Sequence, residues 1–60
     1  MELMYCKIIQ ESDNDILFDF GSHEMTIPRS LIKLVDEENR LVEVADWFVE
    51  TNELEFFEKD

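Results

Sequence analysis

Ile16-Leu17-Phe18-Asp19-Phe20-Gly21-Ser22-His23-Glu24-Met25-Thr26-Ile27-Pro28 reads as a β-hairpin. Apolar Ile16, Phe18 and Phe20 alternate with Leu17 and Asp19, the period of a half-buried strand. Gly21-Ser22 supplies a two-residue connection, because glycine takes the positive φ that a type II′ turn requires at its first position. That turn sets the register. Phe20 falls opposite His23, Phe18 opposite Met25 and Ile16 opposite Ile27, all on one face. Pro28 has no N–H to offer a ladder and ends the strand, and Pro28-Arg29-Ser30-Leu31 suits a tight or 3₁₀ turn.

Upstream, Met4 to Gln10 reads as a preceding strand, joined to the hairpin through the turn formers Glu11-Ser12-Asp13-Asn14-Asp15. A three-residue loop at Ser12-Asp13-Asn14 places Ile8 opposite Phe18 and Cys6 opposite Phe20; a two-residue loop at Asp13-Asn14 places Ile9 opposite Phe18 instead. The first is preferred because Met4, Cys6 and Ile8 then extend the apolar face. It leaves Tyr5, Ile9 and Leu17 on the other side. Cys6 is the sole cysteine and sits in an apolar run, so a buried free thiol is expected and an internal disulfide is excluded.

Downstream, Leu31, Ile32, Leu34 and Val35 carry apolar side chains back across the sheet, and residues 36–40 form a solvated loop. Leu41-Val42-Glu43-Val44 alternates as a fourth strand. Asp46 is placed to cap a helix that starts at Trp47, with Asn52 a candidate end, although Leu54-Glu55-Phe56 alternates again like a strand. The expected fold is therefore one α+β domain over residues 1–60: a small curved antiparallel sheet of about four strands with one C-terminal helix.

Sixteen Asp and Glu against five Lys and Arg give a formal charge of −11 on 60 residues. The charge is uneven. Residues 1–35 hold six acidic and three basic side chains, net −3, whereas residues 36–60 hold ten and two, net −8. Such a surface repels nucleic acid and anionic membranes and is attracted to the basic grooves of proteins that bind them. With 45% apolar residues in patterned runs, the chain reads as folded and not as an acidic tail. It has neither a signal-peptide pattern nor an apolar stretch near 18 residues, which points to the cytoplasm, of a host cell if the chain is viral.

Catalysis is not expected. His23 is the lone histidine and lies at a hairpin tip; there is no Gly-rich phosphate loop and no His/Cys metal spacing. Ser12-Asp13-Asn14-Asp15 lacks the spacing of an EF-hand loop and is better explained as turn chemistry, so no cofactor or metal is expected. The charges have a sharper use in imitating nucleic acid. Phosphates along one strand lie roughly 6–7 Å apart, close to the separation of alternate strand residues and of i, i+4 helix positions. Asp46, Glu50 and Glu53 follow helical spacing near Glu43, against the plainer reading of a solvated helix face. Trp47 and Phe48 are adjacent and point about 100° apart on a helix, so one is a candidate partner anchor. Phe56 and Phe57 need cover in an acidic segment. The candidate partner-binding residues are accordingly Glu43, Asp46, Trp47, Glu50, Glu53, Phe56 and Phe57.

Met25-Thr26-Ile27-Pro28-Arg29-Ser30-Leu31-Ile32, followed by Leu41-Val42-Glu43-Val44-Ala45-Asp46-Trp47-Phe48, resembles small uncharacterised phage and prophage proteins. Their pattern is an alternating hairpin, an aromatic-Ile-Pro-basic-Ser-x-Ile turn, an acidic strand and a Trp-led helix. The resemblance covers most of the chain from Ile16 onward and departs at Thr26, where the pattern has Trp. It implies a phage origin and carries no activity residue by residue. The resulting expectation is a non-enzymatic inhibitor that occupies a basic surface of a host defence or nucleic-acid-processing protein, without touching nucleic acid or membrane. The alternative is an assembly module acting through homodimerisation.

Overall fold

The central hairpin forms with the expected register. In the computed structural model, which describes residues 1–59, β3 (Asp15–Asp19) pairs antiparallel with β4 (Glu24–Pro28), with Ile16 opposite Ile27 and Phe18 opposite Met25. Phe20 N–H donates to the His23 carbonyl at 3.0 Å, and Gly21 adopts φ 101°. The Asp19 carboxylate accepts from Gly21 N–H at 2.8 Å, tightening the turn. Ile16, Phe18, Phe20 and Ile27 are all buried.

β2 (Lys7–Glu11) pairs with the other edge of β3, and here both candidate connections contribute. At the tip, Ser12 N–H donates to the Asp15 carbonyl at 2.9 Å and Glu11 faces Ile16, the arrangement of a two-residue loop. The register then shifts between Ile8 and Gln10, so Ile8 meets Phe18 as preferred, but through a β-bulge at Ile9 instead of a longer loop. The extra residue turns Ile9 out to solvent and Ile8 towards the core.

The expected first strand is in fact two. β1 (Glu2–Met4) belongs to a second sheet, in which it pairs with β6 (Leu41–Val44) and β6 in turn with β5 (Ile32–Asp36), while β2 belongs to the sheet β2-β3-β4. At the corner between them, Tyr5 N–H donates to the Arg40 carbonyl at 3.0 Å and Cys6 N–H to the Asp19 carbonyl at 2.7 Å, so successive residues serve different sheets. The bend reverses the alternation. Leu3 and Tyr5 point inward, Met4 is exposed, and Cys6 is an exposed free thiol, correcting the expectation of a buried one. The Tyr5 ring meets Phe18 edge-on, centroids 4.9 Å apart.

The segment after Pro28 makes a 3₁₀ turn, Arg29–Leu31, and then a further strand, β5 (Ile32–Asp36), beside β6 (Leu41–Val44). Ile32 and Val35 share the inward face with Val42 and Val44. The chain is thus mostly β with one short helix, compatible with α+β, but it has six strands in two three-stranded sheets and not about four in one.

The helix α1 is short, Asp46–Thr51, and its capping position is Ala45 with no side-chain cap, so Asp46 is the first helical residue and not the cap. Val49 anchors it in the core. Asn52 ends it, its side-chain amide donating to the Phe48 carbonyl at 2.9 Å. Glu53 takes φ 57° and reverses the chain, which sends Leu54 into the core. Glu55–Phe57 then forms a 3₁₀ turn instead of a strand, after which Glu58 bridges Leu3 and Lys59 N–H donates to the Glu2 carbonyl at 2.9 Å. The returning tail therefore covers the outer edge of β1.

Two substitutions test this packing. Phe18 is wholly buried where both sheets meet, and removing such a ring costs roughly 3–5 kcal/mol, against roughly 3–9 kcal/mol of total stability for a chain this size. Phe18→Ala is expected to lose cooperative thermal unfolding by circular dichroism; a retained transition near the wild-type Tm would contradict this core. At Gly21, a β-carbon would add left-handed strain and lie 3.3 Å from Cys6 Sγ. Gly21→Ala should lower stability by about 1–2 kcal/mol in urea titration.

Candidate partner-binding surface

The structure separates the seven candidate residues into distinct settings. Trp47 is 59% exposed and packs edge-to-face on Phe48, which turns inward, so the adjacent aromatics divide between surface and core. Phe56 is 91% exposed and, with Glu53 and Glu55, lines a shallow cleft of about 360 Å³. Phe57 does the opposite: its ring stacks on Phe20 at 4.9 Å and meets His23 at 5.2 Å, giving it cover within the fold. Glu50 lies exposed on α1, but Glu53 follows the helix with a left-handed backbone. The row Asp46, Glu50, Glu53 along one helix face therefore does not form, because α1 ends at Thr51, two residues before Glu53.

Asp46 has a partner within the chain. Its carboxylate accepts from the Met1 ammonium at 2.8 Å, and that hydrogen bond, followed by the ammonium's charge, holds its pKa below the ordinary Asp value. The Asp36 pKa is likewise lowered, chiefly by the side-chain amide of Asn39 at 2.9 Å, which makes Asp36 the closing residue of the turn before β6. Burial raises the Tyr5 pKa, helped by Glu37 and Asp36, and its hydroxyl is buried without a hydrogen-bond partner among the described residues. Lys7 and Arg40 lie in the adjoining cleft of about 310 Å³ with Glu11 and Glu37.

Among the described residues the ion pairs are Met1–Asp46 and Arg29–Glu11, the latter at 3.4 Å. Glu43, Glu50, Glu53 and Glu55 join neither. Glu43 also lies directly across from Glu2 on β1, a like-charge pair on the outward face of β1-β6-β5. Such pairs destabilise a sheet. Sequence reasoning named Glu43 but missed Glu2; once β1 is recognised as a strand, the alternation of exposed Glu2 and Met4 around buried Leu3 identifies it.

Among the described residues, no group of three or more His, Cys, Asp or Glu side chains is placed to hold a metal ion, and no helix is long and apolar enough to cross a membrane. No family model matches this chain, and neither does any curated protein or solved structure.

Two predictions follow the charges. Glu43→Lys converts the repulsive pair into an attractive one and should raise Tm by a few degrees, from a gain of roughly 0.2–1 kcal/mol; an unchanged or lower Tm would mean the pair carries no repulsion. The Asp46 pKa is lowered on folding, so its contact stabilises the protein above about pH 4 and is lost as pH falls through the folded value. Asp46→Asn should therefore lower Tm at neutral pH, with the gap from wild type closing in acid. A gap independent of pH would refute the ammonium contact.

Proposed function

We propose that this chain is a non-enzymatic, phage-type inhibitor that occupies a basic surface of a host protein, of the kind that handles nucleic acid or serves in defence. The observation that carries this reading is the exposed Phe56 lining a cleft with Glu53 and Glu55, together with exposed Trp47 and Glu50 on α1; none of these three glutamates finds a cation among the described residues. A large exposed ring is an anchor that gains by burial in a complex, and unpaired carboxylates around it speed association with a cationic surface. The partner would meet charge density with apolar anchors; without a regular helix row, the imitation of nucleic acid lies in the charge and not in phosphate spacing. Inhibition is then steric and electrostatic blocking in the host cytoplasm.

Capture from a bacterial lysate tests it. The wild-type chain should retain a basic protein that rising salt releases, and Glu50→Lys with Glu53→Lys should abolish retention with the fold intact. Trp47→Ala should weaken binding about tenfold or more. Retention that survives both charge reversals and high salt would remove the proposal. The second reading, a homodimeric assembly module, draws on exposed Met4 and Leu34, yet each copy would bring a charge of −11 to the interface. A monomer at all concentrations in light scattering would dismiss it.

A further inference from the structure

The outward face of β1-β6-β5 forms a grid whose register is fixed by strand pairing. One row runs Glu2, Glu43, Leu34 and the next runs Met4, Leu41, Asp36. Val42 and Leu3, between these rows, point the other way and are fully buried, so the six grid side chains share the solvent side. Met4 is 55% and Leu34 58% exposed, and Leu41 is partly exposed between them. A cleft of about 500 Å³ along this face is lined by Glu2, Met4, Asp36 and Leu41, with Asn39 and Lys59 at its side.

This face is expensive to the free protein. Three apolar side chains remain in water, and Glu2 and Glu43 are held side by side with no ion pair among the described residues. Among the described residues, the carboxylates of Glu2, Glu43 and Asp36 stand against Lys59 at the cleft and the exposed Lys33 of β5, so a second copy of this chain would bring net negative charge onto net negative charge. A cationic occupant reverses that balance: its lysine or arginine groups fall between Glu2 and Glu43 while its apolar side chains cover Met4, Leu41 and Leu34.

We infer that the outward face of β1, β6 and β5 is a second contact surface, which takes a segment of a partner protein carrying lysine or arginine beside apolar side chains. This rests on the reading of a basic partner but places the contact away from Trp47 and Phe56 in the chain. It also assigns roles to Glu2, Met4 and Leu34 that the acidic C-terminal segment does not include.

Nitrogen-15-labelled protein titrated at low salt with a synthetic peptide of repeated Lys-Leu-Lys units, and with oligolysine of the same length, tests the assignment. Saturable amide shifts should concentrate at Glu2–Met4, Leu34–Asp36 and Leu41–Glu43. Glu43→Lys should weaken both peptides roughly three- to tenfold, whereas Leu34→Ser should weaken the leucine-bearing peptide and leave oligolysine unchanged. Shifts confined to residues 47–57 would overturn the second surface while leaving the basic-partner reading in place. An absence of saturable shifts with either peptide would overturn both.

Discussion

The passage of the chain from β1 in one sheet to β2 in the other, through the corner at Tyr5 and Cys6, is the constraint on which the rest of the structure depends. A 60-residue chain has too little apolar material to cover two independent sheets, and small domains bury a modest share of their surface. Joining β1 to β2 through a two-residue corner solves this by letting both sheets face one core. Tyr5 N–H serves the sheet that contains β6, Cys6 N–H serves the one that contains β3, and the Tyr5 ring lies against Phe18 beneath the corner. The 3₁₀ turn at Arg29–Leu31 makes the corresponding passage from β4 to β5. Val49 and Leu54 then close the core, and the returning tail protects the edge of β1.

This economy leaves the outside unusually free. Inward positions are taken by aliphatic and aromatic side chains, and apart from the Tyr5 hydroxyl no polar or charged side chain is buried among those described. The carboxylates consequently remain at the surface, where water screens them, and few are matched by cations. Their mutual repulsion is a standing cost to a small fold. Solubility explains a negative surface in general, but it does not require Glu2 directly across from Glu43, or exposed Trp47 and Phe56 among acids. The proposed cationic, partly apolar partner would complete those placements.

The hairpin was legible because its information is local: alternation from Ile16 to Phe20, a Gly-led two-residue turn and Pro28 fix register without reference to anything distant. β5 was not, since Ile32-Lys33-Leu34-Val35 lacks strict alternation, and a bulge between Ile32 and Leu34 is what restores its inward face. The same applies to Ile9, where the bulge reconciles a short loop with the register the core prefers. The directions of Met4 and Cys6 carry no local signal, because the corner that reverses them is set by pairing with distant Arg40 and Asp19. On the candidate surface, Trp47 and Phe56 are exposed. Phe57 is sheltered by Phe20 and His23 from elsewhere in the chain, a tertiary effect without a local signal. The helical acid row failed because the left-handed Glu53 follows Asn52, where tertiary packing of Leu54 overrides continued helical periodicity.

Most of the carboxylates among the described residues find no cation within the free protein, and the proposed function rests on that excess of negative charge. Thermal unfolding in increasing sodium chloride, at neutral pH and moderate concentrations, measures that most directly. Screening of net repulsion should raise Tm as salt rises across the range in which the Debye length shrinks from about 30 Å to about 8 Å. A Tm that falls with salt would show that attractive ion pairs dominate the fold and would contradict the account.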